Sequence, residues 1–204
     1  MENIEKILCF WFGELRDQLS SGDKNQLWYQ STPIIDEEIA DTFGELYQQA
    51  LNGQLQVWQD QPRGSLALVI LLDQMPRNMY RATAQAFASD NLALAIAKHG
   101  IAQGFDKQYA LIERIFYYHP FEHSEQLNEQ RRAVALFSAL LKEYGQTNHI
   151  KLIENALHWS KAHMEIIERF GRFPHRNDIL GRESTDEELA YLKDGLHFGQ
   201  IKKQ

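Results

Sequence analysis

Apolar residues recur along this chain with a helical period and almost nowhere alternate as a strand requires. Ile4, Ile7, Leu8, Trp11 and Phe12 form one stripe of an amphipathic helix that should end near Gly13. The polar interval RDQLSSGDKNQ that follows reads as a loop. Thr32-Pro33 then offers an N-cap and a first-turn proline, with Asp36, Glu37 and Glu38 near the positive end of a helix that should stop around Gly53. Ser65 to Met75 is apolar nearly all round, which predicts a buried central helix. Pro76 should end or kink it, because proline has no N–H to donate and its ring crowds the preceding turn.

Thr83 is placed to cap AQAFASDNLALAIAKHGIAQG, which ends at Gly104. Further helices are predicted over about 107–118, from about Pro120 to Tyr144 with Gly145 as the stop, and from a cap at Asn148 to Phe170 before Gly171. Ser184-Thr185-Asp186-Glu187-Glu188 has the form of a capping box and should open a short helix ending at Gly195. Short loops and the lack of a low-complexity linker predict a single all-α domain over residues 1–204. Its antiparallel helix pairs would stack as a bundle or short superhelix. The alanine-rich segment around Phe87 has the small/large alternation of tetratricopeptide helices.

Composition narrows the function classes. A formal net charge of −7 argues against broad electrostatic binding to nucleic acid. The longest apolar run, LALVILL, falls far short of the roughly 20 residues a membrane span needs. MENIEKILCFWFGEL lacks the form of a signal peptide. Cys9 is the single cysteine, which excludes an internal disulfide, and its apolar neighbours suggest burial. These features lead us to expect a soluble cytoplasmic protein with no nucleic-acid or membrane partner.

Against that acidic background, arginine is concentrated in short segments. PRNMYR and PHRNDILGR each follow an apolar helix and each carry a proline, an Arg-Asn pair and a further arginine. A helix break exposes backbone N–H groups, which with guanidinium forks suit a carboxylate or phosphate. The candidate ligand-binding residues are therefore Arg77, Asn78, Arg81, Arg114, Arg172, His175, Arg176, Asn177 and Arg182, with Arg169 in the same segment. The competing use of these arginines is an internal ion-pair network with Asp73, Asp90, Glu122 and Glu125. For proton transfer the candidates are His123 and His163, with Glu125 or Asp90 to orient them. His163 shares a predicted inward face with Trp159, Ile166, Ile167 and Phe170, where a structural histidine is the alternative. His119-Pro120-Phe121-Glu122-His123 matches an inverted zinc motif, but Pro120 should make His119 a helix cap, outside the face such a motif needs. No phosphate loop, dinucleotide fingerprint or nucleophile elbow is present.

FWFGEL, LLDQMPRNMYRATAQAFASD, RIFYYHPFEHSE and RFGRFPHRNDILGRESTDEE occur in that order. Together they resemble the motifs of a bacterial family known as domain of unknown function nine hundred and twenty-four, over almost the whole chain. Where this chain has His119 the family more usually has an aliphatic residue, which weakens a zinc role. The resemblance implies an all-α, tetratricopeptide-like superhelical fold and no established activity. The leading expectation is a pocket lined by arginine and histidine that holds a small anionic ligand. Two alternatives are a helical-repeat module that binds acidic peptides without catalysis and a metal-dependent hydrolase using His123, Glu125 and His163. The sequence names neither a cofactor nor an oligomeric state.

Overall fold

The computed structural model describes residues 2–196 and 198, and it is all-α apart from one small hairpin. Two compact units are present among the described residues, one running to Tyr117 and the other Tyr118–Leu196.

In the first unit, α1 (Glu2–Phe12) buries the predicted stripe Ile4, Ile7, Leu8, Trp11 and Phe12. Cys9 is exposed, contrary to expectation. At 100° per residue it falls on the face of Glu2, Glu5 and Lys6, so its apolar neighbours in sequence are not its neighbours in space. The expected loop contains a hairpin, β1 (Leu15–Arg16) with β2 (Leu19–Ser20), pairing Leu15 with Ser20 and Arg16 with Leu19. Asp17 and Gln18 turn it with φ of 46° and 69°, as a two-residue connection between twisted strands requires. A short α2 (Asn25–Tyr29) follows. Next, α3 (Pro33–Leu51) starts as predicted, with Thr32 Oγ1 accepting from Ile35 N at 3.4 Å. Gly53 leaves the helix at φ +75°.

The apolar run forms α4 (Pro62–Val69), a π turn at Ile70–Gln74, and α5 (Met75–Met79). Ser65 to Met75 are all buried. Pro76 does not end the rod; the widened turn lets the chain pass into α5. The carbonyl of Leu72, which an ordinary helix would pair with the N–H of residue 76, accepts from Ser89 Oγ at 2.5 Å. Because Ser89 spends its hydrogen there, Tyr47 donates its hydroxyl to Ser89 Oγ, 3.3 Å away. Thr83 precedes only a 3₁₀ turn, Ala84–Phe87, and its hydroxyl donates back to Tyr80 O at 2.8 Å instead of capping forward. The helix proper, α6, begins at Asp90 and ends at Ala102.

The next helix, α7 (Leu111–His123), carries Pro120 in its interior, and the second unit begins within it at Tyr118. Its N-terminus is capped from afar. Gln18 accepts from Leu111 N through Oε1 and from Ile112 N through its backbone oxygen, both at 3.1 Å. The break expected at Pro120 falls instead after His123, and α8 is Leu127–Tyr144. Gln130 Nε2 closes the end of α7 by donating to Glu122 O at 2.5 Å and Ser124 O at 2.6 Å.

In the second unit, α8 and α9 (Ile150–Phe170) form an antiparallel pair around Ala133, Phe137, Leu140, Ile153, Leu157, Ile166 and Ile167. Trp159, expected inside, is 40% exposed, because the buried stripe runs through Leu157, Ser160 and His163, about 100° away. Gly171 ends α9 at φ +70° and donates to Ile167 O at 2.9 Å. A 3₁₀ turn, Pro174–Arg176, leads to α10 (Asp186–Leu192). The predicted capping box opens it: Thr185 Oγ1 accepts from Glu188 N, and Glu188 Oε2 accepts from Thr185 N at 2.8 Å. Among the described residues no helix is long and apolar enough to cross a membrane.

Candidate functional site

Most of the arginines singled out by sequence bond to carboxylates of their own unit. In the first unit, Arg77 Nη2 lies 2.9 Å from Asp90 and 3.4 Å from Asp73, and its guanidinium sits over the Phe87 ring at 5.5 Å. Arg81 grips Asp36 with two bonds, at 2.8 and 3.0 Å, while Asn78 and Ser31 donate to Asp36 Oδ1 at 2.9 and 2.7 Å. Burial works to raise the Asp36 pKa, but the bonds from Arg81, Asn78 and Ser31 prevail and hold it below the ordinary value. Arg114 is buried on α7. In the sequence Asp36 reads only as a charge near a helix start. No spacing in the sequence connects positions 36 and 81, so the pairing was invisible there.

The second arginine segment is built in the same way. Arg172 forks onto Glu188 at 2.7 and 2.8 Å and also reaches Glu183 O at 2.8 Å. That fork, against the cost of burial and with help from Thr185 N–H, holds Glu188 at about 2. Arg182 forks onto Glu125 at 2.7 and 3.0 Å, and Glu125 Oε1 also accepts from Phe173 N at 2.8 Å. Burial pushes the Glu125 pKa up, yet the Arg182 and Phe173 bonds outweigh it and keep the carboxyl ionised. Glu125 is therefore a clamp on the segment and cannot donate a proton near neutral pH. Asn177, fully buried, donates to Ser184 Oγ at 3.0 Å. Arg169 is exposed and bonds Glu187 at 2.8 Å.

A different set of predicted residues converges in the second unit. The ring of His123 lies 5.8 Å from that of His119 and 6.2 Å from that of His163. Phe173 joins the rest, with ring centroids 5.7 Å from His163 and 5.6 Å from His175. Arg176 lays its guanidinium over the Phe173 ring at 4.5 Å and donates Nη2 to His123 O at 3.1 Å. His163 and Arg176 are 7% and 6% exposed, whereas His119, His123 and His175 reach the surface in part. A buried imidazole, guanidinium and phenyl ring are thus gathered beside three partly exposed imidazoles. Phe173 was the residue missed by sequence reasoning. Its only signal was an aromatic side chain held between a helix-ending glycine and a proline.

His119 is helical, contrary to expectation, and shares one face of α7 with His123 four residues on. Even so, among the described residues no three His, Cys, Asp or Glu side chains are placed to hold a metal ion. Glu125, a ligand in the hydrolase alternative, has both oxygens on Arg182.

A family model described as a bacterial protein of unknown function, DUF924, matches residues 7–195. The chain belongs to this family. Among solved structures, it is similar to that of a protein of unknown function from Agrobacterium tumefaciens, at 36% identity and a TM-score of 0.79. The match covers 94% of this chain and 97% of that one. A search of curated proteins finds no match. For this DUF924 member the residues themselves must supply the functional reading.

Proposed function

We propose that this DUF924 protein binds a small anionic ligand, phosphate- or carboxylate-bearing, at the histidine–arginine cluster of its second unit. One observation carries the reading: a buried guanidinium, Arg176, and a buried imidazole, His163, pack on one ring, Phe173. Guanidinium and imidazole N–H groups gathered in one place suit the oxygens of a phosphate or carboxylate, whereas Arg172 and Arg182 spend their forks on Glu188 and Glu125. Arg172 and Arg182 are bracing residues in this reading, and the ligand contacts narrow to His119, His123, His163, His175 and Arg176. The imidazoles would add proton transfer to binding, should the ligand react. The test is a thermal-shift series with inorganic phosphate and small organic acids, followed by calorimetry. A ligand that binds only the folded chain raises its stability with concentration. Arg176→Lys should weaken that response while Arg169→Gln leaves it unchanged. No stabilisation by any anion, in protein shown to be folded, would overturn the proposal.

A second reading has its own support. The long antiparallel pair α8–α9 leaves Trp159 exposed, as a tetratricopeptide-like module that binds acidic peptides would. A defined acidic peptide whose binding is abolished by Trp159→Ala, and unaffected by Arg176→Lys, would favour it.

A further inference from the structure

A cavity of about 360 Å³ lies between α9 and the C-terminal end of α10, entirely within the second unit. Neither Arg176 nor any of the four clustered histidines borders it. Ala162 and Ile166 supply an aliphatic wall, and the rings of Phe170 and Tyr191 meet at a corner, their centroids 5.1 Å apart and their planes tilted by 53°. The turn Asp194–Leu196 supplies a further wall and is held against Tyr191. Gly195 N donates to Tyr191 O at 2.8 Å, and Leu196 N donates to the Tyr191 hydroxyl at 3.2 Å. A Cβ at Gly195 would lie 2.6 Å from the Tyr191 ring, so glycine is what lets the chain fold this closely over it. The volume suits a small organic molecule.

Two carboxylates border the same cavity, Glu165 on α9 and Asp194 just beyond α10, and both are exposed. Neither makes an ion pair with a described residue. Arg169 also borders the cavity, but its charge is met by Glu187 at 2.8 Å. Its guanidinium lies over Phe170 at 4.7 Å and Tyr191 at 6.0 Å, so the two rings already hold a cation of the chain's own. The last turn of α9 and the end of α10 add the partial negative charge of helix C-termini. An anion brought here would meet two carboxylates, whereas an organic cation would find opposite charge, aromatic rings and aliphatic surface together. We propose that this cavity binds a small organic cation, an ammonium or guanidinium group on an apolar stem. Glu165 and Asp194 meet the charge, Phe170 and Tyr191 the carbons that carry it, and Ala162 and Ile166 the stem.

The experiment is an NMR titration of the ¹⁵N-labelled full chain at low salt. The probes are benzyltrimethylammonium chloride, the uncharged benzyl alcohol, and a lysine-rich peptide. The ammonium should bind about tenfold more tightly than the alcohol and shift the amides of Ala162, Ile166, Gly195 and Leu196. Glu165→Gln combined with Asp194→Asn removes both charges with little change of shape, and should bring the ammonium within about threefold of the alcohol. Should that variant fail to fold, salt decides on the wild-type chain: raising sodium chloride from about 10 mM to about 0.3 M should weaken the ammonium severalfold and leave the alcohol unchanged. Equal affinity for ammonium and alcohol, ammonium binding that ignores salt, no saturable shift with any probe, or shifts that map elsewhere overturn the site. A peptide that binds here more tightly than the ammonium overturns the small-ligand assignment and makes this face a docking surface for a basic protein.

Discussion

Gly100, buried in α6, offers the sharpest test of the packing in the first unit. A methyl group added there would lie 1.9 Å from the Tyr117 hydroxyl oxygen, 3.0 Å from Tyr117 Cζ and 3.0 Å from Ser65 Oγ. The Tyr117 hydroxyl is itself engaged, 2.6 Å from Ser65 Oγ and donating to Ile96 O at 3.3 Å. Burial pushes its pKa up to about 12, so it is a neutral hydroxyl that needs these partners. Gly100→Ala gains about 1 kcal/mol of helix propensity. Against this, forcing a methyl into a filled core costs about 1–3 kcal/mol. Displacing a buried hydroxyl from its partners costs about 1–3 kcal/mol more. The net expectation is a destabilisation of about 1–5 kcal/mol. The assay is urea unfolding followed by far-ultraviolet circular dichroism, with Tyr117→Phe and the double variant completing a cycle. Removing the hydroxyl oxygen removes the clash, so Gly100→Ala should cost much less in the Tyr117→Phe background than alone. A Gly100→Ala protein as stable as wild type, or more so, would show that propensity wins and that the close approach is not real.

Three further outcomes are expected. Asp36→Ala leaves Arg81 and Asn78 facing a partly buried gap and should cost about 2–4 kcal/mol in urea, whereas a cost below 1 kcal/mol would demote the cluster to a surface pair. Ser89→Ala strips the Leu72 carbonyl of its donor and should cost about 1–3 kcal/mol, a loss that Ser89→Thr should largely spare. Glu188 is held at about 2 against an ordinary 4.5, so its stabilisation is complete above about pH 4.5 and fades as pH falls toward 2. The stability gap between wild type and Glu188→Gln should close over that window, and a gap that persists at pH 2 contradicts the Arg172 pairing.

Local signals in the chain proved readable where one turn of helix contains the whole physics. Thr32 caps its helix, and Thr185 with Glu188 forms the box. Gly53 and Gly171 take the left-handed backbone at helix ends. Prolines misled for the complementary reason. A proline removes one donor, and whether the helix survives depends on what remote group serves the orphaned carbonyl. For Pro76 a π turn and Ser89 intervene, and neither is visible near PRNMYR. The candidate site divides along the same line. The segments that would carry buried arginines were legible, but the identity of their partners was not, since Asp36–Arg81 and Glu125–Arg182 join positions 45 and 57 residues apart. The histidine pair 119/123 was hidden by the assumption that Pro120 breaks a helix, and the Phe173 hub by having no spacing rule of its own.

The cap on α7 bears on how the chain folds. Most helix caps lie within a few residues of the helix they serve and form as it forms. Glu113 supplies such a local contribution, accepting from Ala110 N at 3.0 Å. The acceptors for Leu111 and Ile112 come from Gln18, 93 residues earlier in the case of the side-chain bond. A nascent α7 therefore starts with donors open to water, and its first turn is completed only after a long loop has closed. The entropy of that closure grows slowly with length, so the cost is modest at equilibrium and falls mainly on the rate. Gln18→Ala is accordingly a probe of timing: with the hairpin left intact, it reports when the two ends of the first unit meet.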